Sequence, residues 1–446
     1  MEFNSASFLF AFLPLLLIVY HLIPGTRGKN ACLICASLLF YAFGDLRYLP
    51  LLLGSVILHY AVGLLLMRPL RGKRVILAVC VTLDVASLLI FKLSGVLPLG
   101  VSFFTFQAIS YVVDVYRDRE NGSRSFFEVL QYITFFPQIV SGPLMKFSEI
   151  RPYFTCRTAT AAQTASGLRR FTVGLAKKLL LSSAAAGLAN AVFSLAPGTL
   201  DIRAAWLGAV CYSLQLYFDF SGYSDMAVGL GRLFGFALPE NFRYPYCASS
   251  VTDFWRRWHI SLSAWFRDYL YIPLGGNRKG KLRTVCNKLV VFFATGLWHG
   301  ASLNFILWGL WHGAFSAFET CTGSAKKLQK RWYGHVYALL VAVLGFVIFR
   351  ASSAAQTGQM FAAMFTGFRL TYESGAIFTH LIGAKELALL LLGCVLCTPV
   401  APKLQLALTK RGIYEPASLF LTLALFALCV LAMASGSFQP FIYAQF

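Results

Sequence analysis

Acidic residues are scarce in this 446-residue chain, 18 against 39 lysines and arginines, and charged residues of both signs make up only 13% of it. So little charge cannot coat a water-exposed globule, which excludes an ordinary soluble domain. There is no Gly/Ser linker, low-complexity segment or internal repeat, so a single membrane domain is expected. No His-Glu-x-x-His or comparable ligand set occurs, and neither a metal site nor a bound cofactor is expected. The 11 cysteines are odd in number and unpatterned, which argues against a disulfide framework. Cys32-x-x-Cys35 and Cys394-x-x-Cys397 lie in apolar runs and are expected to be small core residues rather than redox pairs.

What the chain has in abundance is apolar sequence: 58% of its residues are hydrophobic, with a mean hydropathy of +0.66. Apolar runs of about 16 to 25 residues recur, the length a helix needs to cross the hydrocarbon of a bilayer. The expected architecture is an all-α polytopic membrane protein with about eleven transmembrane helices plus re-entrant and interfacial helices. Spans are expected at about 7–24, 30–44, 48–67, 75–93, 168–194, 203–236, 286–317, 334–349, 384–400 and 416–437. The first lacks a basic leader and is expected to be a retained span rather than a signal peptide. After Pro98 the apolar sequence carries Gly100, Ser102, Thr105 and Gln107, which suits a buried or re-entrant helix. Pro137 and Pro143 are expected to break the run that follows.

The net charge of +21 would suggest nucleic acid in a soluble protein, but the basic residues gather in short loops between apolar runs. Arg27 with Lys29, then Arg68, Arg71, Lys73 and Arg74, then Arg278, Lys279, Lys281 and Arg283 form three such loops. This is the pattern of cytoplasmic loops. It places the N-terminus outside, makes membrane lipid the surroundings and gives no reason to expect a nucleic acid.

Between Pro239 and Pro273 the sequence becomes dense in Trp, Tyr, Arg and Asn, as at a membrane interface. Phe254, Trp258, Leu262, Trp265 and Tyr269 recur every three to four residues, which predicts one amphipathic helix lying in the membrane plane. Two readings stand. The helix is a basic anchor on anionic headgroups, or Arg256, Arg257 and Arg267 receive a phosphate-bearing ligand from the cytoplasm. Asn241, Arg256, Arg257, Trp258 and Arg267 are the candidate donor-binding residues under the second.

From the basic loop at Arg283 to His299 is 16 residues, about 24 Å of helix, which buries the imidazole in the membrane. His299 is either a neutral packing residue or a general base for a hydroxyl. His312 follows 13 residues later; on one continuous helix the two rings point about 220° apart, so they are not expected to share a metal. Asp219, Ser221, Tyr223 and Asp225 lie in an apolar run, with Asp219–Tyr223 and Ser221–Asp225 spaced for local i, i+4 pairing. Structural or cavity-lining roles are expected for them ahead of catalysis. Gly231-x-x-x-Gly235 fits close helix packing.

Several segments together resemble the membrane-bound O-acyltransferase family, and within it the alginate O-acetyltransferase-like branch. They are Gly100–Gln107 with Ser110-Tyr111 and Asp114-Val115-Tyr116, Phe135–Gln138 with Gly142-Pro143, Tyr217–Asp225, Pro239–Tyr246, Asp253–Arg267, Trp298-His299-Gly300 and the terminal Phe441–Phe446. The resemblance implies a ring of tilted helices around a thin central tunnel, with about 1–95 N-terminal helices, about 98–320 a catalytic core and about 330–446 C-terminal helices. It implies that His299 is the active-site histidine and His259 a second, supporting one, with Gln107, Asp219, Ser221, Tyr223, Asp225 and Trp298 as tunnel or supporting residues. By the same resemblance the donor is a cytosolic thioester, acetyl-CoA or an acyl carrier. The acceptor is a polysaccharide, reached through a periplasmic or membrane-anchored relay protein, and the location is a bacterial plasma membrane. Leu303 stands where that branch commonly has an aromatic, which bears on the shape of the pocket. D-alanyl transfer to teichoic acid, a glycan or lipid transporter, and a scaffold for glycan secretion are the alternatives left open.

Overall fold

The computed structural model describes residues 2–436, so the terminal Phe441–Phe446 segment lies outside the described residues. Regular structure is helical throughout those residues. The chain groups into two compact units. Among the described residues, one holds 2–172 with Tyr223–Glu240, the other Val173–Gly222 with 241–436.

In the first unit the principal helices are α1 (Leu13–Leu22), α2 (Thr26–Asp45), α3 (Leu49–Met67), α4 (Lys73–Ser94), α5 (Val101–Arg117) and α6 (Phe126–Thr134). Pro50 sits in the first turn of α3, where the missing N–H costs nothing, and Pro14 follows a π-helical turn, Phe8–Phe12, that runs straight into α1. Gly95, at φ 70°, closes α4 in the left-handed conformation. Helix α5 is buried almost from end to end, as its mixture of apolar and polar residues suggested. Pro137 begins a new short helix, Phe136–Ile139, immediately after α6 ends.

Helices α7 (Ala161–Ala176) and α9 (Ile202–Leu233) each contribute to both units, and α8 (Ser183–Phe193) lies between them in sequence. The second unit continues with the short α10 (Val251–Arg257) and α11 (Ile260–Phe266), then α12 (Gly280–His299), α13 (Leu303–Thr322), α14 (Trp332–Arg350) and α15 (Tyr414–Ala434).

Two sequence expectations change here. The apolar run 286–317 is not one helix: Gly300, with an extended backbone, separates α12 from α13. The two pack against each other, because Gly296 brings α12 so close to α13 that a Cβ there would lie 2.5 Å from the Phe305 carbonyl oxygen. The amphipathic helix 253–269 is also broken, at His259, which has φ 43°.

Among the described residues, five helical stretches are long and apolar enough to cross a membrane, counting Thr26–Met67 as one, and six if the bent pair Tyr372–His380 and Ala384–Leu396 is a single span. The sequence expectation of about eleven crossings is higher. The 32-residue α9 and the 20-residue α12 and α13 have the length but carry the acids, histidines and amides of the core. Outward faces of α4 and α15 are apolar, with Leu93 73% and Phe420 76% exposed, as suits contact with lipid. Cys35 and Cys394 are exposed rather than core residues, because each faces outward from its helix.

Candidate active site

His299 is the last residue of α12 and is 3% exposed. Its ring is caged by aromatic edges and faces: Trp298 at 4.8 Å, Trp308 of α13 at 4.9 Å and Phe349 of α14 at 5.1 Å between centroids. The hairpin sets this position. Close approach at Gly296 brings Trp308 beside the end of α12, and the extended Gly300 stops the helix at the imidazole.

His259 is buried in the break between α10 and α11. Its left-handed backbone is uncommon for a side-chain-bearing residue and costs on the order of 1–3 kcal/mol. The irregular segment around Asn241 holds it. The Ile260 N–H donates to the Asn241 carbonyl at 2.9 Å, and the Arg243 N–H donates to the Arg257 carbonyl at 2.9 Å. The Asn241 side-chain oxygen accepts from the Ser261 N–H at 3.1 Å and the Ser261 hydroxyl at 3.0 Å, and lies 3.2 Å from His259 Nδ1. Trp298 packs on His259 at 6.3 Å while adjoining His299, so one indole lies between the two histidines.

The basic residues divide by environment. Arg256 is exposed. Arg257 Nε is 3.1 Å from both oxygens of Asp253, and Arg267 Nε is 2.7 Å from Asp268. That hydrogen bond raises the already high Arg267 pKa. Trp258 is enclosed by Phe242, Phe254 and Phe346 at 5.1–5.5 Å, so it packs the platform beneath the arginines.

Asp219 is fully buried and paired with the equally buried Lys178. Ser221 is buried, and its hydroxyl has no hydrogen-bond partner among the described residues. In the first unit, Arg170 bridges Asp225, at 2.7 Å, and Glu240. Tyr223 stacks on Phe3 at 4.8 Å, and Gln107 lies 3.5 Å from the Tyr132 carbonyl. Both carboxylates of the apolar run are thus met by cations distant in sequence.

Sequence reasoning missed Glu319. From α13 it accepts the Val251 N–H at 2.6 Å and the Thr252 N–H at 2.9 Å, capping the start of α10 and anchoring the segment that leads to His259. An acid inside the apolar α13 was the available signal. It also missed Trp308, which contacts both His299 and, at 5.4 Å, His312. The two histidines lie on antiparallel helices and meet through that indole, so the single-helix argument for their divergence does not apply.

Many apolar helices around buried polar groups, with an enclosed imidazole at a helix end, define a multi-pass membrane protein with an interior histidine site. A family model described as the membrane-bound O-acyltransferase family matches residues 106–355. A probable alginate O-acetylase AlgI of Pseudomonas putida is 37% identical over alignments covering 100% of both chains. One of Pseudomonas fluorescens is 41% identical, covering 82% of this chain and 76% of the relative. A peptidoglycan O-acetyltransferase of Helicobacter pylori is 37% identical, covering 69% and 68%. The chain belongs to the membrane-bound O-acyltransferase family and is an O-acyltransferase.

Proposed function

We propose that this enzyme moves an acetyl group from a cytosolic thioester, acetyl-CoA or an acyl carrier, toward hydroxyls of an extracellular or cell-wall polysaccharide. The reading supposes a bacterial plasma membrane, an outside N-terminus and a periplasmic or membrane-anchored protein that relays the acetyl group. The names of the relatives, two acting on alginate and one on peptidoglycan, support the polysaccharide and the acetyl group.

In this mechanism His299 removes the proton of an acceptor hydroxyl as its oxygen attacks the thioester carbonyl. The tetrahedral adduct collapses, the C–S bond breaks, and the thiolate leaves with the proton that His299 held. The aromatic cage keeps water from competing for the thioester. His259, fixed by Asn241, positions the donor, and Arg256 meets its phosphate. The observation that carries this reading is His299 at 3% exposure inside a ring of aromatics, beside Trp298 and His259.

Donor choice is tested by supplying purified enzyme in lipid with acetyl-CoA or with carrier-bound D-alanine, together with cell-envelope acceptor. Consumption of acetyl-CoA alone supports the proposal. Consumption of the D-alanyl carrier alone replaces it with teichoic-acid D-alanylation, and vesicle transport of a glycan without thioester cleavage replaces it with a transporter.

A further inference from the structure

Helix α4 faces outward along most of its length, with Leu83 56% and Ile90 64% exposed. The residues it buries are Cys80, Asp84 and Leu88, spaced four apart on one face. Two of those three are a thiol and a carboxylate. Asp84 lies near the middle of a 22-residue span, where an acid is costly unless it has a role.

Opposite them, α3 presents His59, which is wholly enclosed. Its Nδ1 is 2.7 Å from the Ser55 carbonyl oxygen. A carbonyl only accepts, so Nδ1 carries a proton there and Nε2 faces the other way. Nε2 lies 3.0 Å from Asp84 Oδ2 and 3.7 Å from Cys80 Sγ, and that sulfur is 3.9 Å from Oδ2. An imidazole lone pair and a carboxylate do not attract each other at 3.0 Å. A positive charge belongs between them, a proton or a metal ion.

The sulfur decides between the two. A proton serves Nε2 and Oδ2 and leaves Cys80 with only weak S–H contacts, whereas the sulfur sits nearly equidistant from both. Zinc bonds of about 2.0–2.1 Å to nitrogen and oxygen and about 2.3 Å to sulfur, at tetrahedral angles, give about 3.3 Å between N and O and about 3.6 Å from S to each. The observed separations match these to within about 0.3 Å, and a histidine whose far nitrogen donates to a backbone carbonyl is the usual outer support of a metal ligand. Thiolate, carboxylate and neutral imidazole around a divalent ion also sum to zero charge, which suits an apolar setting.

We propose that His59, Cys80 and Asp84 bind a divalent zinc-class cation that braces α4 to α3. One turn beyond His59, Gly63 lies against the Tyr111 ring of α5, where a Cβ would come within 2.7 Å, so the brace also fixes the surface on which α5 rests. The site is independent of the acyl-transfer reading. The ligands escaped sequence analysis because 21 residues separate His59 from Cys80 and no familiar motif has that spacing.

The test uses the tag-free full chain, purified in lipid without added metal, with elemental analysis followed by chelation and titration with Co2+. About one zinc per chain is expected, together with a thiolate-to-cobalt charge-transfer band in the near ultraviolet. Cys80→Ser is expected to lose that band and at least tenfold in Co2+ affinity, and Asp84→Asn to lose a comparable factor. A wild-type chain that holds no transition metal and gives no charge-transfer band would overturn the proposal and leave a proton-shared His–Asp pair. Undiminished metal binding by Cys80→Ser would overturn it equally. The wild-type spectrum decides the matter even where a variant fails to fold.

Discussion

The side-chain oxygen of Asn241 lies 3.2 Å from Nδ1 of His259. An amide oxygen accepts and does not donate, so in the neutral ring it fixes the proton on Nδ1 and gives Nε2 the lone pair. Asn241→Ala removes this acceptor and also strands the Ser261 N–H and hydroxyl. The expected result is a loss of about 1–3 kcal/mol of stability and a fall in transfer of about ten- to a hundredfold as the ring loses its orientation. Asn241→Asp, which keeps an acceptor, is expected to retain more activity. Thermal unfolding in detergent and thioester-cleavage rates measure both effects, and an alanine variant with unaltered kinetics would remove His259 from the site.

Gly296 tests the hairpin without touching a chemical group. Its added methyl in Gly296→Ala would sit 2.5 Å from the Phe305 carbonyl oxygen, so α12 and α13 must separate. Overpacking of this kind costs about 1–3 kcal/mol, and here it also moves His299 relative to Trp308. The expected outcome is a folded protein with transfer reduced about tenfold or more. Full activity would mean that the tight crossing does not position the histidine.

Lys178 and Asp219 form a buried ion pair with side chains 3% and 1% exposed. Lys178→Met leaves the carboxylate enclosed without its cation, and a loss of about 3–5 kcal/mol is expected. The double change Lys178→Met with Asp219→Leu should recover much of that loss, because no buried charge remains. Membrane yield and detergent melting report it. A double variant as damaged as the single would show that Asp219 has a role beyond pairing.

Arg256 and Arg267 are both exposed, but Arg267 is engaged by Asp268, and the half-buried Arg257 is engaged by Asp253. Arg256→Ala is therefore expected to raise KM for a phosphate-bearing donor roughly fivefold at low salt, with kcat little changed and the difference shrinking as ionic strength rises. A fall in kcat at constant KM would contradict a role in donor capture.

Much of this arrangement was legible in the sequence, for identifiable reasons. The burial of His299 was expected from its place 16 residues beyond a basic loop, and α12 ends on it at 3% exposure. The buried state of α5 followed from glycine, hydroxyl and amide residues within apolar sequence. The breaks were not legible. An apolar run looks the same whether it continues or turns back, so the reversal at Gly300 was hidden. The regular stripe from Phe254 to Tyr269 gave no sign that the Asn241 segment docks across it and forces His259 to φ 43°. The partners of the buried acids were equally hidden. Lys178 lies 41 residues from Asp219 and Arg170 lies 55 from Asp225, distances at which local pairing rules are silent.

If His299 performs the chemistry, its removal must stop thioester cleavage. The direct measurement is cleavage of radiolabelled acetyl-CoA by the purified chain in lipid, with cell-envelope extract as acceptor, comparing the intact protein with His299→Ala at matched levels of folded enzyme. Cleavage by the intact chain is expected, with a loss of about a hundred- to ten-thousandfold in the variant. Equal cleavage by the two would contradict that role for His299.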